Sequence, residues 1–386
     1  MIEIDGAIGE GGGQILRTAC ALSAVTKKPC HVFNIRKGRE KPGLMPQHLL
    51  GIQALSQLCN GRLEGDYLNS EEIKFYPEEI KAKDIHVKIE TAGSITLVLQ
   101  TLIPPALFAR AAAKSKDESL DSSPTRAIAK GEEETLISSP APEPLKITFE
   151  GGATDTFFSP TIDYFQYVFL KILDYNPPTT SSRSLRARAP KMGGKVEINI
   201  LKRGYYPEGG AKIEATIYPS KLKSLNLTER GKLQKILVIS GASEFLKDKK
   251  VAERQLAGVR EILGKLKLPI EEKVEYHPAQ CPGSQICLVA EFENTVMGTD
   301  NLGKLGKRAE DVGKEAALEL LKEQKSGACL DKHLADQILS YLALAPGKNQ
   351  VTVSEVTNHC KTNIWVIEKF LEGKFEIKEN LITWRT

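Results

Sequence analysis

The sequence predicts an α+β fold in which a β-α-β-α-β-β unit occurs three times and a small α/β domain is inserted. Three observations predict this fold. Glycine-rich turns separate a short strand pattern from a helical pattern at residues 9–13 and again at 151–155. A third passage of alternating helix and strand patterns occupies residues 334–385. Residues 221–301 alternate differently, which indicates a separate α/β domain.

The first unit begins with a strand pattern that leads into the glycines. The next helix carries Ile15, Leu16, Ala19 and Leu22 on one face, and Pro46 opens a second helix. Two further strands are expected to complete the unit. Its predicted elements, in order, lie at residues 2–5, 14–25, 31–36, 46–58, 72–76 and 85–90.

The later elements follow the same reasoning. A strand, a glycine turn and a helix are predicted at residues 147–149, 151–155 and 163–173. The third passage predicts a helix, a strand, a helix and a closing hairpin, with the first three at 334–344, 351–356 and 364–371. The inserted domain is expected to contain a strand, a helix and two strands, at 235–239, 251–263, 271–277 and 286–293.

These patterns predict a large domain over residues 1–220 and 302–386 and a small α/β domain over 221–301. Two segments have no apolar period and are rich in Ser, Pro and charge. We expect residues 113–144 to form a flexible insertion and residues 176–190 a flexible basic loop. The arginines of that loop either contact an RNA backbone or are simply solvated: Arg183, Arg186 and Arg188.

Composition excludes several classes of protein. The 386 residues are 41% hydrophobic and 26% charged, as in ordinary globular proteins. The longest apolar run, 95–109, contains Pro104 and Pro105 and is too short to span a bilayer, and no signal peptide pattern occurs. Seven cysteines without a Cys-x-x-Cys pair predict reduced, mostly buried thiols. We therefore expect a cytoplasmic protein without membrane contact. The net charge of +4 suits a partner with a few phosphates.

The glycine loop, residues 9–14, is the first candidate for chemistry. Its glycines allow close approach of an anion to the N-terminus of the next helix. The loop lacks both the P-loop lysine and the last glycine of a dinucleotide fingerprint. Glu10 would repel a phosphate unless a divalent cation lay between them, and Arg17 can reach the same anion. A tight turn with an exposed acid remains the alternative.

A basic turn follows, with Arg36, Arg39 and Lys41, and then Gln47 and His48 at the next helix. An ordinary basic surface turn is the alternative to anion binding. His359 lies between a strand pattern and an amphipathic helix. A neutral imidazole is a competent nucleophile toward activated phosphorus, whereas a helix-capping or hydrogen-bonded histidine is the simpler interpretation. The Lys-x-Asp-Gly pattern of lysine-nucleotidylating enzymes is absent from the sequence.

Several motifs, taken together and in this order, resemble RNA 3′-terminal phosphate cyclases. The runs are GEGGGQILR at 9–17, IRKGR at 35–39 with KPGL at 41–44, QH at 47–48, AGS at 92–94 with LVLQ at 97–100, GYYPEGG at 204–210, LADQ at 334–337 and HCKTNI at 359–364. The resemblance runs from residue 2 to the end, apart from the two segments without apolar period. Each glycine-rich run alone would be weak, but the combination is specific.

The resemblance implies a large domain of three repeats. Each would be like the C-terminal domain of a bacterial translation initiation factor and related to enolpyruvyl transferases, with a thioredoxin-like domain inserted before the last repeat. It also implies an ATP-dependent enzyme that converts an RNA 3′-phosphate into a 2′,3′-cyclic phosphate through histidinyl-AMP and RNA-adenylate intermediates. RNA with a 3′-phosphate end, ATP, and Mg²⁺ or Mn²⁺ are the implied partners and cofactors.

By the same resemblance, His359 is the nucleophile and Glu10 the metal ligand. The expected phosphate-handling residues are Gln14, Arg17, Arg36, Arg39, Gln47 and His48. Those expected near the nucleotide are Pro160, His333, Asp336 and Gln337. His333 departs from the family pattern, because some members have a tyrosine there, and an imidazole can also stack on adenine.

Two other functions remain open from the sequence. A catalytically silent relative involved in ribosome biogenesis would bind RNA without cyclase chemistry. An enolpyruvyl transferase of similar repeat architecture would leave His359 and Glu10 unexplained. Retention of covalent AMP would separate the cyclase from both alternatives.

Overall fold

The computed structural model describes residues 1–81, 83–109, 143–174 and 192–386. Almost all of the expected flexible insertion and the whole expected basic loop, with its three arginines, lie outside these ranges. These ranges contain helices and four sheets of four strands each. Every one of the four sheets has both parallel and antiparallel strand pairs. No described helix is both long and apolar enough to cross a bilayer.

The first sheet is built from the N-terminal elements, Ile2–Asp5, Gly13–Thr26, Cys30–Phe33, Pro46–Leu58, Arg62–Glu64 and Ile73–Tyr76. The first two strands are parallel, and the last two form an antiparallel hairpin. The predicted helices are present to within one residue. The hairpin strand Arg62–Glu64 was not predicted, because three residues are too few to reveal a period of two.

The second sheet corrects the expected end of the first unit. Strand Ile85–Ser94 pairs in parallel with Leu145–Ala153, so the prediction that it completes the first unit is wrong. Its apolar side chains alternate inward, but the sequence alone cannot say which strand lies beside it. The remaining elements are Ile95–Leu107, a helix at 162–173 with a π-helical turn Phe165–Phe169, Lys195–Lys202 and Lys212–Tyr218.

The third sheet combines a short strand, Asn226–Leu227, with strands from the C-terminal part of the chain. Those elements are Lys332–Leu344, Asn349–Thr352, Asn358–Phe370, Lys374–Lys378 and Leu381–Arg385. When the four strands of each of these three sheets are numbered along the chain, their order across the sheet is first, second, fourth, third. One hydrophobic core connects these three sheets.

The fourth sheet has its own core. In the sequence, its elements lie between strand Asn226–Leu227 and helix Lys332–Leu344. Its elements are Leu233–Ser243, Val251–Leu263, Ile270–His277, Ser284–Phe292, Val296–Leu302 and Ala309–Lys325. The core includes Val312, Ala316 and Leu320, so the last helix packs with this sheet. This packing favours a boundary after that helix rather than at 301, and the predicted division into domains stays a prediction. All seven cysteines are free and buried, as expected.

Candidate active site

The glycine loop ends at an uncapped helix. Gly9 and Gly11 adopt φ angles of 62° and 56°, a left-handed conformation that favours glycine. Helix Gly13–Thr26 then begins after Gly12, which supplies no side chain to the first N–H groups. Four other helices have a capping side chain, from Ser94, Thr161, Asp331 and Thr357. The uncapped N-terminus can accept an anion.

His359 lies in the first turn of helix Asn358–Phe370, not in the loop before a helix at 364 as predicted. The Thr357 hydroxyl accepts a hydrogen bond from the Cys360 N–H at 3.2 Å and fixes the start of this helix. The helix packs on the glycine loop, since a Cβ added at Gly9 would overlap the Thr362 hydroxyl. His359 therefore lies beside the uncapped helix end.

Gln14 determines which nitrogen of His359 is available. Its amide nitrogen donates to the His359 carbonyl at 3.2 Å, so its amide oxygen faces the His359 Nδ1. An oxygen can only accept, and Nδ1 must therefore carry the proton in the neutral ring. The lone pair of the neutral imidazole then lies on Nε2.

Glu10 and Arg39 surround that second nitrogen. The Glu10 carboxylate lies 2.9 Å from His359 Nε2. Arg39 donates to the Glu10 carbonyl at 3.0 Å and comes within 4.0 Å of its carboxylate. Burial, Arg17 and Arg39 together lower the pKa of His359, and Glu10 opposes them. The balance favours a neutral imidazole, which is the nucleophilic form.

Arg17 and Asp336 are partly buried side chains that interact electrostatically. Burial lowers the pKa of Arg17 to about 10, and Asp336 counteracts this effect. Burial also raises the pKa of Asp336 to about 7, against the attraction of Arg17. Both side chains line a small cavity of about 40 Å³, together with Gln14, Gln337 and Asn363. Arg17 stays charged at neutral pH and faces a carboxyl that readily takes a proton.

His48 is a neutral hydrogen-bond donor. Burial, Arg17 and Arg36 lower its pKa to about 3. Its Nδ1 accepts the Met45 N–H at 3.3 Å, so the proton is on Nε2. That nitrogen lies against the glycine loop, because a Cβ at Gly13 would overlap it. His48 can donate to an anion at the helix end but cannot serve as a charged acid near neutral pH.

Arg36 and Gln47 lie at the edge of this arrangement. Arg36 adopts a left-handed φ of 57° and donates to the Lys41 carbonyl at 3.2 and 3.3 Å. Burial and Arg39 lower its pKa. Gln47 accepts the Ser94 N–H at 3.5 Å, which joins the first sheet's elements to the second's.

The residues expected near a nucleotide are distributed around the same region. Asp300 connects two of them: it accepts the Thr161 N–H, next to Pro160, at 2.7 Å, and its carboxylate interacts with His333. His333 is exposed and acts electrostatically on His359. Gln337 donates to the His333 carbonyl at 2.8 Å and accepts from Gln100 at 3.0 Å.

Two contacts were missed by the sequence reasoning. Thr18 donates to the Asn363 side-chain oxygen at 2.9 Å, and Asn363 donates to the Asp336 carbonyl at 3.1 Å. They hold the histidine helix, Asn358–Phe370, to two neighbouring helices. Thr18 and Asn363 each lie four residues after a predicted site residue, Gln14 and His359, so helical spacing was the available signal.

The described residues contain no group of three or more His, Cys, Asp or Glu that could hold a metal by themselves. Glu10 is a single carboxylate. Mg²⁺ is commonly held by one or two carboxylates with water and substrate phosphates completing its shell. The residues present therefore fit a cation that arrives with a phosphate ligand.

Comparison with known proteins gives a consistent result. The family model described as RNA 3′-terminal phosphate cyclase matches residues 8–116 and 135–377. A protein of that description from Pyrococcus abyssi is 43% identical over 98% of this chain and 95% of its own length. Those from Pyrococcus furiosus and Sulfurisphaera tokodaii are 41% and 38% identical, again over 98% of this chain and over 95% and 96% of their own lengths.

Proposed function

Because the chain belongs to the RNA 3′-terminal phosphate cyclase family, we propose that the residues around His359 carry out that family's reaction. The activity is the ATP-dependent conversion of an RNA 3′-terminal phosphate into a 2′,3′-cyclic phosphodiester, with release of AMP and pyrophosphate. The protein is thus an RNA-processing ligase.

The proposed reaction has three steps. His359 Nε2 attacks the α-phosphorus of ATP, forms an N–P bond and expels pyrophosphate. An oxygen of the RNA 3′-phosphate then attacks the same phosphorus, breaks the N–P bond and gives an RNA-adenylate. Finally the neighbouring 2′-hydroxyl loses its proton, attacks the 3′-phosphorus and expels AMP. Adenylylation supplies the leaving group that a phosphate monoester lacks, and the 2′-hydroxyl requirement excludes DNA from cyclisation.

One observation carries the proposal: Gln14 occupies Nδ1 of His359 and leaves the Nε2 lone pair beside Glu10. The lowered pKa of His359 keeps this nitrogen unprotonated near neutral pH. Orientation and protonation state therefore both suit nucleophilic attack.

We assign phosphate binding to the uncapped helix end and to the side chains around it. Arg17, Arg36 and Arg39 supply positive charge, and neutral His48 supplies an Nε2–H donor. Fixed donors of this kind stabilise charge that develops on phosphoryl oxygens. Gln47 lies next to His48 and is assigned to the same ligand.

Glu10 is assigned to Mg²⁺ or Mn²⁺, which when bound would neutralise charge on the triphosphate. The 2.9 Å between the Glu10 carboxylate and His359 Nε2 is a hydrogen-bond distance, so the carboxylate would have to leave the imidazole to hold the ion, which would free the Nε2 lone pair. The chain supplies one carboxylate for the ion, and phosphate and water oxygens would supply the rest.

The nucleoside is assigned to the region between Pro160 and His333, with Asp336 and Gln337 beside it. The connection through Asp300 supports this assignment. His333 is exposed and available for stacking against a base.

Two further assignments, of the domains and of the cellular location, accompany the function. The shared strand order of three sheets supports three copies of one initiation-factor-like unit, and the fourth sheet is assigned to the inserted thioredoxin-like domain. The inserted elements begin after strand Asn226–Leu227, so the interruption falls inside the third copy. Seven free buried thiols support a reducing, cytoplasmic location.

The test is incubation with α-³²P-labelled ATP and Mg²⁺ or Mn²⁺, followed by a denaturing gel. Wild type is expected to retain acid-labile, alkali-stable label that His359→Ala loses. His86→Ala is the matched control, since His86 is an exposed histidine on strand Ile85–Ser94. Folded wild type that takes no label with either metal would contradict the proposed mechanism.

A further inference from the structure

Three aromatic side chains are exposed together near the site. Phe157, Phe158 and Tyr206 have 38%, 103% and 54% of their surface accessible. Phe157 and Tyr206 meet edge to face, with ring centroids 5.7 Å apart. We call these three residues the aromatic platform. Such exposure of large aromatic rings is costly in water unless a ligand covers them.

The loop that carries the platform is anchored on both sides. At its start, Thr154 donates to the Gly204 carbonyl at 3.0 Å, and the Tyr206 N–H donates to the Asp155 carbonyl at 3.3 Å. At its end, the Thr161 N–H donates to Asp300. The exposed rings are therefore held in place between fixed points.

Phe158 also has a strained backbone. Its φ of 63° lies in the left-handed region, which is unfavourable for a bulky residue. Such strain persists where surrounding structure enforces it and is concentrated at functional sites. Here the strain directs a fully accessible phenyl ring into solvent.

Hydrogen bonds link the loop that carries the platform to the elements of the candidate active site. Pro160, two residues after Phe158, accepts a hydrogen bond from Thr96 at 2.9 Å, and Thr96 contacts Ser94 at 2.9 Å. The Ser94 N–H reaches Gln47, the neighbour of His48. A short series of contacts thus connects the platform loop with the proposed phosphate site.

We propose that the aromatic platform stacks on bases near the 3′ end of a single-stranded RNA substrate, which rests on the proposed function of the site. Bases near a free RNA end can unstack and pack on aromatic rings. Three side chains are too few for a stable protein interface but suffice for one or two bases. Because every base has a flat face, this contact adds affinity with little sequence preference.

The test is a double-mutant cycle between protein and RNA. The substrate is a short RNA 3′-phosphate, compared with versions in which one of the last three nucleotides lacks its base but keeps its ribose hydroxyl. Phe158→Ala retains the backbone constraint of a non-glycine residue while removing the ring. It is expected to raise KM for cyclisation of intact RNA roughly tenfold. For RNA abasic at the stacked position the same change should have little effect, since the contact is already lost.

Phe245→Ala is the matched control, because Phe245 is 61% exposed in the turn that follows strand Leu233–Ser243. It should leave KM unchanged. Equal effects of Phe158→Ala on intact RNA and on all three abasic RNAs would overturn the proposal, as would no effect at all. Labelling of the protein by ATP without RNA separates the two hypotheses. If Phe158→Ala is labelled and its KM is unchanged, only the platform is rejected. If wild type is not labelled, the proposed function is rejected.

Discussion

Arg203 and the arginines around the glycine loop differ sharply in the partners that the fold gives them. Arg203, 3% exposed, lies 2.6 Å from Asp163, 3.3 Å from Asp155 and 3.8 Å from Glu275. Around the glycine loop, Arg36 donates to a backbone carbonyl, and Arg39 contacts the Glu10 carbonyl and comes no closer than 4.0 Å to its carboxylate.

The difference separates a structural charge from ligand-seeking charges. Three carboxylates surround Arg203 and compensate for the burial of its charge, which is the arrangement of a structural ion pair, although its Nε has no hydrogen-bond partner. The arginines near His359 have few anionic partners, which leaves a cationic region suited to phosphates.

The largest effect is expected at Arg203. Arg203→Ala would leave Asp155 and Asp163 buried without their cation and should lower the free energy of unfolding by about 3–5 kcal/mol. Urea denaturation provides the measurement. Arg62→Ala, which removes an exposed pair with Glu64, is the control and should leave the free energy of unfolding nearly unchanged. Equal losses in the two variants would refute the structural role.

Arg17→Ala should change the reaction rate strongly and the stability little. We expect the rate of enzyme-AMP formation to fall by about 10²–10³-fold, because a fixed donor to the phosphates is lost. Asp336, with its pKa near 7, can take a proton once the arginine is gone, so the unfolding free energy should change by only about 1 kcal/mol. Single-turnover labelling and urea denaturation of the same samples are the measurements. A large stability loss with normal labelling would mean that Arg17 has a structural role like that of Arg203.

Gly13→Ala tests the packing of the phosphate site. The added Cβ would overlap His48 Nε2, so the helix end and the imidazole must move apart. We expect a loss of about 1–3 kcal/mol in stability together with slower labelling. Gly38→Ala is the control, since a Cβ there meets nothing within 4 Å. Unchanged labelling in Gly13→Ala would argue against a role for this helix end.

The smallest effect concerns the pH dependence of labelling. The rate should rise with pH as His359 loses its proton, through a pKa below its ordinary value, and then level off. Glu10→Gln should label more slowly at every pH because the proposed metal ligand is lost; since Glu10 raises that pKa, the midpoint of the rise should also move to lower pH by less than about one unit. Single-turnover labelling from acidic to neutral pH measures the shift. A rise displaced to higher pH would contradict the assigned interaction.

The sequence predicted local elements better than their pairing. The periodic apolar residues of helices Gly13–Thr26 and Pro46–Leu58 located both helices, because burial of one face fixes a period of 3.6 residues. Strand Ile85–Ser94 was assigned to the wrong unit, since pairing depends on distant residues. The two-residue strand Asn226–Leu227 carries no period at all.

The same distinction applies to the site. Residue chemistry suggested His359, Glu10 and Arg17, and the family resemblance added Gln14, but neither indicated that a glutamine 345 residues away fixes the imidazole tautomer. The Arg203 network was not predicted, because its partners lie on three separate segments. The exposed rings of Phe157 and Phe158 were also missed, since aromatic residues beside a strand usually indicate a core.

The position of the fourth sheet has a consequence for folding during synthesis. Strand Asn226–Leu227 cannot pair until Asn349–Thr352 leaves the ribosome, whereas the first two sheets have all their strands much earlier. At about 5–20 residues per second, the wait for those 122 residues lasts on the order of 6–25 seconds. The inserted elements can form their own core meanwhile, and the entropy of closing so long a loop grows only logarithmically with length. His359 therefore reaches the glycine loop late, after most of the molecule around it has had time to fold.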